Sequence, residues 1–591
     1  MNQDQEKIDG IRHSLAHLLA DTVKQMFPGS LNAIGPVIEN GFYQDFEIKS
    51  KLSEEDLPKI EEAMRAKLES WKGFSKKEVS LDGAKQVFGD NKYKIELAEE
   101  FAAGGKTLTI YTIGGFDDLC KGGHADDLSL IDPDSFKLTS TAGAYWRGDE
   151  KNIMLTRIYG VAFETKEELE SYLKQQELAK ERDHRKLGKE LDLFVFSDLV
   201  GPGLPLFTPR GTILRRLLKD LMRQAGIKNG SQEVEIPHIA KKDLYVTSGH
   251  AHKFTDELFV VESRDENGFN MKPVNCPHHI QIFMSRPRSY RNMPIHYSEV
   301  TMQYRDEKPG QLMGLQRVRA ITVDDGHIFM AKEQIMEVVS SFVKIIEEVH
   351  KGVGIYGEHW VSLSLRDPKK PEAYIGTEED WQLAEKLLKD ASDENNLNAK
   401  PMEGEAALYG PKLDFVYYTV GGVETQLATI QLDFSTPKRF GMKFINNKGE
   451  EEVPVMVHRA ILGSLERFMV ILLERTNGWL PFWLAPEQVR IVTVNDSVND
   501  YVAKVKDILS EVVLMKPLKY NELRFEVDAR KENLGKKIRV AEEMKIPLIL
   551  IVGPKDMEAE TVSLRFRSGD ETVEEKIKLS ELAEWITKFN G

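Results

Sequence analysis

The sequence predicts a multidomain α+β protein, and three observations carry that reading. The chain has 591 residues, which at roughly 150 residues per domain suggests about four domains. In the middle of the chain, strand-like runs lie beside one another instead of alternating with helices. The clearest pair is 413–420 and 424–432, joined by a turn at Gly421-Gly422, and such adjacency favours an antiparallel sheet with helices added. From Pro486 onward the pattern changes to β-α-β-α-β: apolar strand 489–494, amphipathic helix 502–514, strand 523–527, helix 533–544 and buried strand 546–552. That order predicts a small α/β domain with partly parallel strands.

The remaining zones follow from composition. Residues 1–163 mix helical stretches (11–26 and 54–71) with short strands (107–111 and 154–159), an α+β pattern. Residues 164–190 are dense in Glu, Lys and Arg, with Leu169, Leu173 and Leu178 at near-helical spacing, and read as a solvated linker helix. The boundaries are therefore 1–163, 164–190, 191–485 and 486–591.

Hydrophobic residues make up 41% and charged residues 30%, an ordinary globular balance. Lys and Arg number 80 against 95 Asp and Glu, a net charge of −15. That excludes an all-basic nucleic-acid packer but not a local basic patch. Two cysteines, Cys120 and Cys276, cannot build a disulfide framework and point to a reducing compartment. No apolar run approaches the ~18 residues of a membrane helix, and the start lacks the pattern of a secretory signal. The expectation is a soluble cytoplasmic protein.

Three constellations could carry chemistry. His13 and His17 stand at i and i+4 on one helical face, and Cys120 and His124 are four apart on a Gly-rich turn. Together they read as a zinc site or as a zinc-like polar pocket that works without metal; the two histidines alone could equally have a core or capping role. Cys276, His327 and His458 lie far apart with no local ligand spacing, so pattern alone leaves each more often structural. Arg305, Arg317, Arg319 and Arg467, with acidic neighbours, could hold a nucleotide triphosphate by bidentate contacts, although a lone arginine is more often a surface ion pair. No GxxxxGK[ST] or GxGxxG is present, so the common nucleotide folds are not supported.

Taken together, the motifs resemble one family over nearly the whole chain: threonyl-tRNA synthetases of the bacterial type, class II aminoacyl-tRNA synthetases. HSLAH at 13–17, GPVIENGFYQDF at 35–46, DLCKGGH at 118–124 and AGAYWRGD at 142–149 are similar to the family's N-terminal α+β editing domain. EVEIP at 233–237 resembles class II motif 1, YRDE at 304–307 with RVR at 317–319 motif 2, and GSLER at 463–467 motif 3. MKPVNCPHH, DDGH and VMVHRAILGS resemble the zinc-binding segments. ALYGPKLDF and TQLATIQLDF complete the set, and DARKENLGKKIR followed by KIPLILIVG resembles the C-terminal α/β anticodon-binding domain.

The resemblance implies a class II antiparallel sheet core with helices, a homodimer formed through motif 1, and no membrane partner. It implies that Cys276, His327 and His458 hold one Zn²⁺ per subunit, with Asp325 accepting a hydrogen bond from the hydroxyl of L-threonine. Arg305 would hold the α-phosphate of ATP and Arg467 the γ-phosphate, with Mg²⁺ bridging phosphates. Lys412 joins these as catalytic, and Arg317, Tyr409, Gln426, Gln431 and Ser464 match positions lining the pocket. His13, His17, Cys120 and His124 would frame a pocket that hydrolyses seryl-tRNA, with Lys94 and Asp118 handling the ester and its water. Arg530, Lys536 and Arg539 would lie near the threonine tRNA. The family's usual ubiquitin-like N-terminal domain is not represented. Val323 stands where Gln is common, Ala251 where Trp is usual, His278 where Gly is usual and Val540 where Glu is common. The rival readings are a non-catalytic RNA-binding paralogue, a hydrolase that only clears mischarged tRNA, and a ligase for serine, proline or alanine. The motif arginines and zinc trio argue against the first and last, and the full third zone against the second.

Overall fold

The computed structural model describes residues 3–49, 52–253, 256–264, 268–515, 517, 521–569 and 571–590. The chain divides into two compact units, Met1–Glu177 and Leu178–Gly591.

In the first unit the helix Gln3–Met26 starts well before the predicted residue 11. Its buried face carries Ile11, Leu15, Leu18, Leu19 and Val23, which pack with Phe42, Phe46, Ile60 and Ile158. Apolar residues at helical spacing on one side put His13 and His17 beside that core. A five-stranded antiparallel sheet is built on Gly41–Glu47, Met154–Ala162 and Phe136–Tyr145. A second sheet has three strands, Ser75–Val79, Leu108–Ile113 and Phe116–Leu119. The predicted helix 54–71 is shorter, Leu57–Leu68, preceded by a 3-10 turn at Glu54–Asp56.

The stretch predicted as one linker helix is two, Lys166–Glu181 and His184–Glu190. Asp183 starts the second by accepting a hydrogen bond from the Arg185 amide, a capping contact that favours a fresh helix start. The second helix is not a solvated one, because His184, Leu187 and Gly188 are buried.

The second unit is centred on an eight-stranded sheet. Its order is Gln232–Glu233, Ile295–Tyr304, Ala320–Met330, Val455–Ala460, Glu424–Asp433, Lys412–Tyr418, His359–Leu365 and Lys400–Glu403. The six inner strands pair antiparallel, as expected, and the two short edge strands pair parallel. Helices Pro209–Lys228, Ile335–Gly352 and Leu465–Thr476 contribute Leu214, Leu218, Phe342, Ile346, Phe468 and Leu472 to the core beneath it.

Beyond the sheet lie five strands ordered Phe525–Asp528, Val489–Thr493, Leu548–Val552, Thr561–Ser568 and Glu571–Lys578. The first three are parallel and the last two antiparallel additions. The predicted helix 502–514 ends sooner: Asn499–Ser510 is helical, and Val513–Leu514 forms a short strand with Asn521–Glu522. Val512 and Leu514 are still buried, as the apolar pattern demanded, but in extended rather than helical backbone. No described helix is long and apolar enough to cross a membrane.

Candidate functional site

Among the described residues, two groups of side chains place their ligand atoms within 4.8 Å of one another, and they are the two sets singled out in the sequence.

The larger unit holds Cys276, His327 and His458, all buried. Sheet register explains how residues so distant in sequence meet. His327 and His458 are direct partners across two antiparallel strands, and neighbouring side chains on one face of such a pair lie about 5 Å apart. Cys276 arrives as the first residue of the helix Cys276–Met284, where the positive end of the helix dipole favours a thiolate. Burial, reinforced by the carboxylates of Asp325 and Asp433, pushes the Cys276 thiol well above its usual range, and burial with the neighbouring His279, His458 and Arg459 pushes His327 well below. His327 is therefore neutral and able to ligate, whereas the thiol needs a cation to ionise. The second ring nitrogens are engaged. His327 Nδ1 lies 2.8 Å from His279 Nδ1, and His458 Nε2 lies 3.0 Å from Asp433 Oδ2. That leaves His327 Nε2 and His458 Nδ1 for a metal. One thiol and two imidazoles, each imidazole oriented by an outer partner, fit a zinc ion with an open position. His279 and Asp433 gave no signal of their own in the sequence, because only the fold brings them to the ligands.

Asp325 lies two residues before His327 on the same strand face. Its Oδ2 accepts hydrogen bonds from Asn275 Nδ2 at 2.9 Å and Gln303 Nε2 at 3.2 Å. Its Oδ1 lies 3.7 Å from His327 Nε2. Tyr409 stacks on the His458 ring at 4.5 Å and donates to Gln431 Oε1 at 2.9 Å.

The motif arginines converge beside this centre. Arg305 follows the strand Ile295–Tyr304, and Arg317 precedes the strand Ala320–Met330; the Arg305 amide donates to the Arg319 carbonyl at 3.0 Å. Arg467 is held by the Gln316 carbonyl at 3.0 Å. Burial lowers the Arg467 pKa, and the charges of Arg305 and Arg317 lower it further. Three guanidiniums close enough to repel are a ready seat for polyphosphate. Glu307 offsets part of the charge through Arg317 at 2.7 Å.

Other predicted residues are engaged by protein. Lys412 reaches Asp414 at 2.6 Å, and Asp414 also accepts from Gln426, Thr429 and Ser364. Ser464 caps the helix Leu465–Thr476 by accepting from the Arg467 amide, and its hydroxyl donates to Glu466 Oε2 at 3.0 Å. Val323, at the position where Gln was expected, forms an isolated bridge with Ser464. Arg530, Lys536 and Arg539 each form a local ion pair, with Asp528, Glu532 and Glu543 respectively.

In the first unit His13 Nε2 lies 3.3 Å from both His17 Nε2 and Cys120 Sγ, and His124 Nε2 lies 3.4 Å from the same sulfur. The turn between Cys120 and His124 needs its glycines. Gly122 and Gly123 have φ of +94° and +86°, and a Cβ on Gly122 would lie 2.5 Å from Tyr111 Oη. Phe74 stacks on His124 at 3.8 Å. Asp118 accepts from Lys94 at 2.5 Å and faces His17 Nδ1 at 3.1 Å. Burial opposes ionisation of Cys120, but contacts with His124, His13 and His17 outweigh it and bring the thiol down to about 3. Burial likewise disfavours charged His17, but Asp118 and Cys120 outweigh it and raise the ring to about 9. A thiolate, an imidazolium, an ammonium and a carboxylate thus share one pocket. Phe74 and Tyr111 line it without having been predicted.

Comparison with known proteins gives the family of the domains that carry these side chains. Residues 259–476 match the family described as "tRNA synthetase class II core domain (G, H, P, S and T)". Residues 488–589 match "Anticodon binding domain", and residues 108–159 "Threonyl and Alanyl tRNA synthetase second additional domain". The threonine–tRNA ligase of Gloeobacter violaceus is 46% identical over 95% of this chain and 89% of its own length. That of Rubrobacter xylanophilus is 44% identical over 94% of this chain and 85% of its own. A solved structure described as the RNA binding domain of threonyl-tRNA synthetase from Cryptosporidium parvum Iowa II aligns with a TM-score of 0.62 at 33% identity, covering 69% of this chain and 97% of that one. With a class II core, an anticodon-binding domain and the second additional domain on one chain, and relatives of this identity over nearly its full length, the chain belongs to the threonyl-tRNA synthetase family.

Proposed function

We propose that this chain activates L-threonine with ATP, transfers it to threonine tRNA and hydrolyses seryl-tRNA at its second site. The observation that carries the reading is the buried Cys276–His327–His458 set, with Asp325 beside it and the arginines converging on the same centre.

Cys276, His327 and His458 would hold Zn²⁺, which when bound supplies an open Lewis-acidic position for the amino and hydroxyl groups of threonine. Asp325 accepts the hydrogen bond of that hydroxyl. Valine has threonine's shape but no hydroxyl to donate, so binding it leaves a buried acceptor unpaired. A site built around the hydroxyl can reject such an analogue far better than the ~10²-fold open to an apolar pocket. Arg305 binds the α-phosphate and Arg467 the γ-phosphate of ATP carried as its Mg²⁺ complex. The threonine carboxylate attacks the α-phosphorus, a bond forms from carboxylate oxygen to phosphorus, and pyrophosphate leaves with the electrons of the broken P–O bond. Arg305, Arg317 and Arg467 act by position and charge. Lys412 and Gln426 act through Asp414, and Tyr409 and Gln431 close the amino-acid side of the pocket.

Serine keeps the hydroxyl and lacks only a methyl, worth roughly 1–3 kcal/mol. It therefore reaches the tRNA, and the first-unit pocket removes it. His13, His17, Cys120 and His124 frame the ester, while Lys94 and Asp118 place it and its water.

The segment Glu233–Pro237 lines an open groove of about 900 Å³ together with Lys219, Arg223 and Ser298. We assign this face to the homodimer contact, which light scattering on the intact protein tests: a mass of one chain contradicts it. The function itself is tested by pyrophosphate exchange with threonine, serine and valine side by side. Threonine and serine should exchange, and valine more than ~10²-fold more slowly than threonine. Equal exchange with valine contradicts the reading.

A further inference from the structure

The two oxygens of Asp325 are not equivalent. Oδ2 receives both amide donors, Asn275 Nδ2 and Gln303 Nε2, whereas Oδ1 faces His327 Nε2. Asn275 is the residue preceding the helix Cys276–Met284, a position where an asparagine side chain ordinarily accepts from a backbone amide of the first turn. Here it makes no such capping bond, and its Oδ1 is buried without a partner. The side chain has given up a local contact to donate to Asp325. Only the NH₂ end can donate to a carboxylate, so this orientation of the amide is fixed by chemistry. Gln303 is likewise buried, on the neighbouring strand Ile295–Tyr304, and reaches across to the same oxygen.

A half-buried carboxylate held by two donors on one oxygen keeps its plane fixed and its other oxygen aimed. We propose that Asn275 and Gln303 are positioning residues that fix Asp325 through Oδ2, and so reserve Oδ1 as the acceptor that separates a β-hydroxy amino acid from its methyl isostere. This rests on Asp325 being the hydroxyl acceptor of the proposed function. Neither amide touches the reacting atoms in this account; each acts on selectivity through Asp325. The strand residue Gln303 is the better probe, because Asn275 adjoins a metal ligand.

The experiment uses Gln303→Met, which keeps length and volume and removes the donor, and Asp325→Asn as the reference, both in the full chain. Pyrophosphate exchange is measured with threonine and with valine, threonine binding is measured by calorimetry without ATP, and bound zinc is measured by metal analysis. For Gln303→Met the threonine KM and Kd should rise about 10–100-fold, the range set by losing one hydrogen bond to a charged group. The KM for ATP, the exchange rate with valine and the zinc content should stay within about twofold, so that the threonine-to-valine ratio falls by the same factor as the threonine affinity. Threonine and valine falling together, or threonine affinity unchanged, overturns the positioning role. An unchanged threonine-to-valine ratio in Asp325→Asn overturns the hydroxyl-acceptor reading itself, and the positioning role with it.

Discussion

His279 is the residue whose importance is hardest to see from its neighbours in sequence. It is fully buried, lies against the His327 ring nitrogen, and ligates nothing itself. Outer partners of this kind typically contribute 10–100-fold to metal affinity. Replacing it by alanine should weaken zinc binding by about that factor, read by chelator competition, while the fold survives; unchanged affinity would mean that His327 is oriented by something else. The residue types of the site were legible in the sequence only through the family resemblance. By spacing, Cys276, His327 and His458 were three unrelated positions, because a register between strands leaves no mark on local pattern. Phe74 and Tyr111 were invisible for the same reason: nothing near them in sequence says that they meet His124. The basic residues of the last domain are held locally. Arg530, Lys536 and Arg539, read in the sequence as lying near the tRNA, each pair with an acidic residue close by along the chain.

At the scale of elements, two residues of the strand Ala320–Met330 tie together the elements that carry the residues proposed for the amino acid and for ATP. Asp324 pairs with Arg459 at 2.6 Å, both almost fully buried, and accepts the Ile461 and Leu462 amides at 2.7 and 3.2 Å. The Thr322 backbone amide donates to Glu466 Oε2 at 2.9 Å, and Arg215 pairs with the other oxygen of that carboxylate at 2.6 Å. The strand carrying His327 is thereby locked to the strand carrying His458 and to the helix carrying Arg467. Removing one partner leaves a buried charge uncompensated, at a cost of about 3–5 kcal/mol. Arg459→Met should therefore lower the denaturation midpoint and depress threonine and ATP binding together. A loss confined to one substrate would contradict the coupling. Gly463 sits at the turn into that helix with φ +70°, and a Cβ there would lie 2.3 Å from the Leu427 carbonyl oxygen. Gly463→Ala should destabilise the chain by more than the ~1 kcal/mol of φ strain alone, measurable by urea unfolding. Legibility at this scale followed periodicity. The hairpin Lys412–Tyr418 to Glu424–Asp433 was readable because two apolar runs flank a double glycine. The end of the helix at Ser510 was not, because Val512 and Leu514 satisfy an amphipathic pattern and an extended edge strand equally well.

At the scale of the whole molecule, the two metal-ligand-like clusters fall in different units with different surroundings. Cys276 sits where burial holds the thiol neutral until a cation arrives, whereas Cys120 is already ionised beside charged His17. The same residue types thus stand in opposite charge states, which suits the recognition proposed for one unit and the hydrolysis proposed for the other. The double substitution His13→Ala with His17→Ala should accumulate seryl-tRNA while threonine-dependent pyrophosphate exchange stays unchanged. Serine staying off the tRNA in that variant would remove the hydrolytic assignment of the first unit. The separation of the two clusters could be read from the sequence because the motifs lie in separate zones. The boundary was only partly readable, since the charged stretch between the zones suggested one exposed helix where the chain forms two, the second seated in the core through Leu187.

The central claim is that threonine is recognised through its hydroxyl at a zinc held by Cys276, His327 and His458. The most direct measurement is threonine-dependent pyrophosphate exchange in protein stripped of metal and then given back one equivalent of zinc per chain. The account predicts that exchange is lost on stripping and returns in proportion to the zinc restored. Exchange that continues at full rate in zinc-free protein would contradict it.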